Sequence, residues 1–418
     1  MPTGKALGVA LVILVAAGVT IQSRPQATGA IPASRARTAQ VSSPVGSTTA
    51  CSTAVATAPM LVSVQTHFAT GLLEPFGVAF APDSEHVFVD SLILPSSPSD
   101  SLAPGRSASG ITVYSISPSG LVADRVGSFP TASLVGMSTS PDGRELVAAG
   151  GSGARIFSTS RMEQANSAPS SWLLGSFAST GQGAIEATFS PDGHYVFVTL
   201  EDSDQIAVFN FQKAERHGFG PSDLVGYVPL GMAPVGMALS PNGRYLYATS
   251  EAVTTGGGEG TLSTIDLRHA EVDPAHSVIS TVWAGCSPVR VVASGSSVYV
   301  TARGSDDLVE FSARNLVSDP GSAMVGHVEV GESPVGLALV DHDKSLVIAD
   351  SNRFQIGNAV SNLAVVATSE NGPLTLLGYV AAGGFPRDMT VSPDGKTLIV
   401  SDFDSGDVEE VGLTTLPR

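Results

Sequence analysis

Two carboxylates and two guanidinium groups stand where their chain neighbours predict something smaller or apolar. Glu186, Arg290 and Asp388 take the third place of a recurring segment whose other copies have glycine there, and Arg387 precedes Asp388 where the other copies have Phe, Val or Ile. A charged side chain that breaks a local preference suggests a task. Carboxylates beside arginines bind a cation, or activate water while a guanidinium polarises a carbonyl. Solvated charges that pair with one another would show the same residue types, so both readings stand at this stage.

The segment itself occurs seven times: PFGVAFAPDSEHVFV from Pro75, LVGMSTSPDGRELVA from Leu134, AIEATFSPDGHYVFV from Ala184, PVGMALSPNGRYLYA from Pro234, PVRVVASGSSVYV from Pro288, PVGLALVDHDKSLVI from Pro334 and PRDMTVSPDGKTLIV from Pro386. Its third positions are Gly77, Gly136, Glu186, Gly236, Arg290, Gly336 and Asp388, separated by 59, 50, 50, 54, 46 and 52 residues. That period matches a four-stranded blade with loop insertions. Each copy reads as a strand, a Ser-Pro-Asp-Gly-like turn and a second strand, and alternating apolar runs supply two more. Examples are QIAVFNF (205–211) and LVGYVPL (224–230). The fold class is all-β, a seven-bladed β-propeller.

The last unit lacks a strand after DVEEVGL (407–413), and MLVSVQT (60–66) precedes the first unit. Pairing these two closes the ring, completes the last blade from the N-terminus and hides two sheet edges. A closed ring with no free edge predicts a monomer.

The repeats resemble the YVTN-type repeats of bacterial and archaeal surface propellers and the lactonase-like propellers. The Ser-Pro-Asp-Gly turns and the strands HYVFV, RYLYA and SVYV carry the resemblance, over about residues 60–418. It implies the fold. For activity it implies a lactonase-like hydrolase, a binding module or a surface-layer component, since one fold hosts many functions.

In such a ring the loops between second and third strands gather on one face. They hold Asp90 and Asp100, Glu201, Asp202 and Asp204, Glu251 and Glu259, Asp306 and Asp307, Asp350, and Asp402, Asp404 and Asp407. From these, Asp90, Asp202, Asp204, Glu251, Asp307, Asp350 and Asp404 are the ligand-binding candidates. The catalytic candidates are Glu186, Asp388, Arg290 and Arg387, expected at the same mouth. The leading expectation is a binding or interaction module using this acidic face. Its alternative is a lactonase-like hydrolase with the carboxylate/Arg set, metal-assisted or not. Oxygen-rich loops suit a divalent cation such as Ca²⁺, although no loop has the spacing of a known calcium motif. The eight histidines show no zinc spacing.

Composition narrows the partners. The net charge is −17, and the only charged residues before position 59 are Lys5, Arg24, Arg35 and Arg37. A surface this acidic repels phosphate backbones, which argues against nucleic acid and for a small molecule, a cation or an extracellular protein. Residues 1–30 carry an apolar run behind Lys5 and read as a signal peptide or N-terminal anchor. Residues 31–58, rich in Ser, Thr, Ala and Pro, read as a flexible linker, and 59–418 as the propeller. The expected location is extracytoplasmic: secreted, periplasmic or at the cell surface. No membrane span remains in the mature chain unless the anchor is retained. Cys51 and Cys286, the only cysteines, are a disulfide candidate there.

Overall fold

The computed structural model describes residues 43–46, 51, 55–64, 66–93, 109–117, 120–129, 133–164, 166–253, 258–354, 360–368 and 372–417. The expected signal or anchor and Asp100 lie outside them. Seven antiparallel four-stranded sheets stand in a ring. Their inner strands are Leu73–Phe80, Val135–Thr139, Ala184–Phe189, Met232–Leu239, Pro288–Ala293, Pro334–Val340 and Pro386–Val391, one per repeat.

The turn chemistry explains why the repeat folds this way. In blade two Ser140 Oγ donates to Asp142 Oδ1 at 2.8 Å and accepts from the Glu145 amide at 3.0 Å, while Gly143 takes φ +74°. A residue without a side chain adopts that left-handed conformation freely. The same construction recurs at Ser190, Ser240 and Ser392.

Second-strand hydroxyls then staple one blade to the next. Thr249 Oγ1 accepts from Gly236 N and donates to Val289 O at 2.8 Å, and Ser401 Oγ donates to Phe76 O at 2.6 Å. Between the blades, alternate strand residues such as Phe88, Phe157, Phe197 and Phe311 are wholly buried. Burial of such side chains stabilises by roughly 1.5–3 kcal/mol each.

The ring closes with an N-terminal strand, as expected, but a different one. Thr66–Thr70 pairs antiparallel with Asp407–Gly412, placing Thr66 opposite Val411 and Thr70 opposite Asp407. Residues 60–64, whose alternation looked equally strand-like, make a parallel bridge from Met60 to Tyr379 and a turn from Leu61 to Val64. Leu61 and Val64 pack on the core between blades six and seven, whereas Ala69 packs on the core between seven and one. Local alternation does not distinguish these two apolar faces.

The described part of segment 31–58 makes several contacts with the outer edges of the ring. Val45 pairs in parallel with Val282 on the outer strand of blade four. Cys51 is disulfide-bonded to Cys286, with Cα atoms 5.5 Å apart. Ala56 N donates to Val330 O in blade five, and Tyr379 Oη in blade six donates to Ala56 O at 2.7 Å. An outer strand leaves one row of backbone groups unpaired, and this strap meets several of them.

Candidate functional site

Motif positions two and three divide the channel into layers. Position two is Phe76, Val135, Ile185, Val235, Val289, Val335 and Arg387. Val235, Val289, Val335 and Phe385 form one buried cluster with Ile185 and Phe403 packed against it, so side chains from five blades meet across the axis. This apolar ring separates two polar sites that sequence reasoning had merged.

Below the ring, Glu186, Arg290 and Asp388 come together as expected, but away from the loop face. They line a cavity of about 810 Å³ whose outer walls include Pro82, Pro141 and Pro393 from the strand-one-to-two turns. Arg290 Nε lies 3.9 Å from Asp388 Oδ1. Glu186 Oε2 accepts from Met237 N at 3.1 Å, and Asp388 Oδ2 from Val78 N at 3.2 Å. Burial pushes Glu186 up to about 7, with Arg290 opposing and Asp388 adding to the rise. Burial also raises Asp388, and Arg290 draws it back.

Above the ring lies Arg387, the one position-two residue with charge. Its guanidinium sits 3.7 Å from the centroid of Phe76 and 5.4 Å from those of Phe385 and Phe403. Among the described residues it has no hydrogen-bond acceptor, and its Nε is buried without a partner. Burial first, then the positive charges of Arg290, Arg353 and Arg303, lower its pKa to about 9, with Asp388 opposing. Phe385 reaches the mouth because its backbone turns left-handed, φ +56°, which is uncommon for a large side chain.

Two more arginines complete this mouth. Arg303 donates to Glu251 Oε2 at 2.8 Å and lies 5.9 Å from the Phe354 ring; Arg353 lies 5.9 Å from Phe385. Glu201 is raised by burial first, then by Glu251 and Asp202, and held back by Arg387 and Arg303. The loop face therefore gathers Glu201, Glu251, Arg303, Arg353 and Arg387. The sequence reading missed Arg303, Arg353 and the phenylalanines. Arg303 directly follows its second strand, as Glu201 does in blade three, and that alignment was the available signal.

Several of the loop acids also bond to the scaffold. Asp204 Oδ1 accepts from Ala233 N at 3.0 Å, which ties the blade-three loop to the start of blade four; Asp306 does the same for Ser333 at 2.8 Å. Asp307 pairs with His327 at 3.2 Å. Asp350 is fully buried, as is Asp90, whose Oδ1 accepts from Gly77 N. Burial holds Asp90 up to about 8. Asp202 and Asp404 remain exposed on the rim. Among the described residues no group of three or more His, Cys, Asp or Glu is arranged to hold a metal ion.

These features define a seven-bladed propeller with a charged mouth above a closed channel. A family model described as "Lactonase, 7-bladed beta-propeller" matches residues 105–356, more than half the chain. The chain belongs to this lactonase family of seven-bladed propellers. Among solved structures, a chain of "Crystal Structure of Mitotic Checkpoint Complex" aligns with TM-score 0.60 and 13% identity, covering 83% of this chain and 92% of that one. A chain of "Kuenenia stuttgartiensis Hydrazine Synthase" aligns with TM-score 0.59 and 14% identity, covering 83% and 98%. At such identities the likeness concerns the fold alone. No curated protein matches significantly.

Proposed function

We propose that the chain is an extracytoplasmic hydrolase that opens lactones bearing an anionic substituent, at the loop-face mouth of its channel. The observation that carries this reading is Arg387, a guanidinium held among three aromatic rings with no acceptor among the described residues. A partly buried guanidinium without an acceptor among the described residues favours an anionic ligand.

The neighbours suit the chemistry. Glu201, raised by burial, takes a proton from water as the oxygen adds to the lactone carbonyl. Arg353 or Arg387 stabilises the oxyanion, the ring C–O bond breaks, and the leaving alkoxide recovers the proton from Glu201. Family membership supports the reaction class, and the Cys51–Cys286 disulfide supports an oxidising compartment. The rival reading, an interaction module with an acidic face, draws on exposed Asp202 and Asp404. It is weakened by the number of loop acids turned inward or bound to backbone amides.

The test is a lactone panel, carboxylated and uncarboxylated, with wild type, Arg387→Met and Glu201→Gln. Carboxylated lactones should be preferred, and either substitution should lower kcat/KM by about 10²-fold or more, the scale for losing one positioned group. Tight binding without turnover would return the chain to the binding-module class. Turnover unaffected by Arg387→Met would remove the assigned site.

A further inference from the structure

The compartment beneath the apolar ring plays no part in that reaction, yet its floor is built with unusual selectivity. At Gly136 and Gly236 a Cβ would strike the carbonyl oxygens of Ile185 and Val289, because inner strands crowd together at this level. The layer carries side chains at only three blades, and all three are charged: Glu186, Arg290 and Asp388.

Their hydrogen-bonding capacity is only partly used. Arg290 is 8% exposed, and its nearest carboxylate contact, Asp388 Oδ1 at 3.9 Å, is longer than a hydrogen bond. One oxygen of each carboxyl accepts from a backbone amide of the next blade, and the Asp388 carboxyl also draws on its neighbour Met389 N, which fixes both side chains while spare lone pairs on both carboxyls can still accept. The floor thus presents a five-donor guanidinium and two carboxyls to one cavity, of about 810 Å³, whose lining includes Met137, Met237 and Met389.

An ion of one sign satisfies only half of this arrangement. A simple anion on Arg290 would face Asp388, and a simple cation between the carboxyls would face Arg290. A molecule with an ammonium and a carboxylate on one carbon meets both, and apolar walls beside them accommodate a hydrocarbon side chain. We propose that this turn-side compartment binds a zwitterionic α-amino acid with an apolar side chain, its carboxylate on Arg290 and its ammonium at Glu186 and Asp388. The site is separate from the loop-face mouth and stands or falls independently of the reaction proposed there.

Isothermal titration of the full-length protein at pH 7 with leucine, N-acetylleucine and 3-methylbutylamine tests this directly. Leucine should bind at least tenfold more tightly than either relative lacking one charge. Arg290→Lys should weaken leucine at least tenfold, and Arg387→Met, at the other mouth, should leave it unchanged. Equal binding of either truncated compound, or no leucine binding up to millimolar concentration, overturns the proposal. So does a loss caused by Arg387→Met and not by Arg290→Lys. The ligand series needs only wild-type protein, so a misfolded Arg290 variant would not remove the test.

Discussion

Replacing Asp402 and Glu409 together by Asn and Gln should flatten the pH dependence of stability and raise stability near neutrality. Both carboxyls are fully buried on strands Thr397–Asp402 and Asp407–Gly412 of the closing blade, and none of their four oxygens has a partner at hydrogen-bond geometry. Burial lifts Asp402 to about 8, with Asp407 adding and the Gly383 amide opposing. Glu409 is lifted to about 9 by burial, then by Asp402, with Gly383 opposing and Asp407 adding.

Both groups hold their protons more tightly folded than unfolded, where carboxyls ionise near pH ~4. Their contribution is therefore full below that value and is lost as pH rises toward 8 to 9. The slope is about 1.4 kcal/mol per pH unit for each group, so going from pH 5 to pH 7 removes up to about 3 kcal/mol per carboxyl. The neighbouring charges are coupled, and the sum for two is an upper bound. Denaturant unfolding of wild type and the double variant at pH 5, 6 and 7 measures it. The variant's advantage should grow with pH; two parallel curves would refute the burial argument.

Two further outcomes concern the N-terminal segment. Replacing Cys51 and Cys286 by Ala should lower stability by about 2–5 kcal/mol and abolish the sensitivity of wild-type unfolding to reductant, read from denaturation midpoints with and without dithiothreitol. Deleting residues 66–70 should expose the edge of Asp407–Gly412 and produce aggregation visible by light scattering. A deletion of 43–46, which covers an outer edge only, should leave the ring closed and monomeric.

The blades were legible because each repeats its own turn chemistry: Ser140, Ser190, Ser240 and Ser392 make the same bonds within six residues. The convergence of Glu186, Arg290 and Asp388 was legible for the same reason, since equal repeat positions lie at equal heights. What could not be read was which side of the apolar ring they occupy. Positions two and three are adjacent in sequence, but Arg387 turns toward the loops and Asp388 toward the turns. The direction of the loop acids was likewise not legible. Asp90 lies within its strand and Asp350 and Asp402 end theirs, and all three side chains are fully buried, whereas composition alone shows only that they are acidic. The closing strand was misplaced because residues 60–64 and 66–70 are both apolar enough to pack, and only three-dimensional neighbours decide which one pairs.

The disulfide also determines where mechanical load enters the molecule. Tension on the chain upstream of Cys51 passes through a covalent bond into Cys286 of blade four, three blades away from the seam formed by Thr66–Thr70. A tug from whatever lies ahead of that cysteine would be borne by an interior sheet, and the zipper that holds the circle shut would feel none of it.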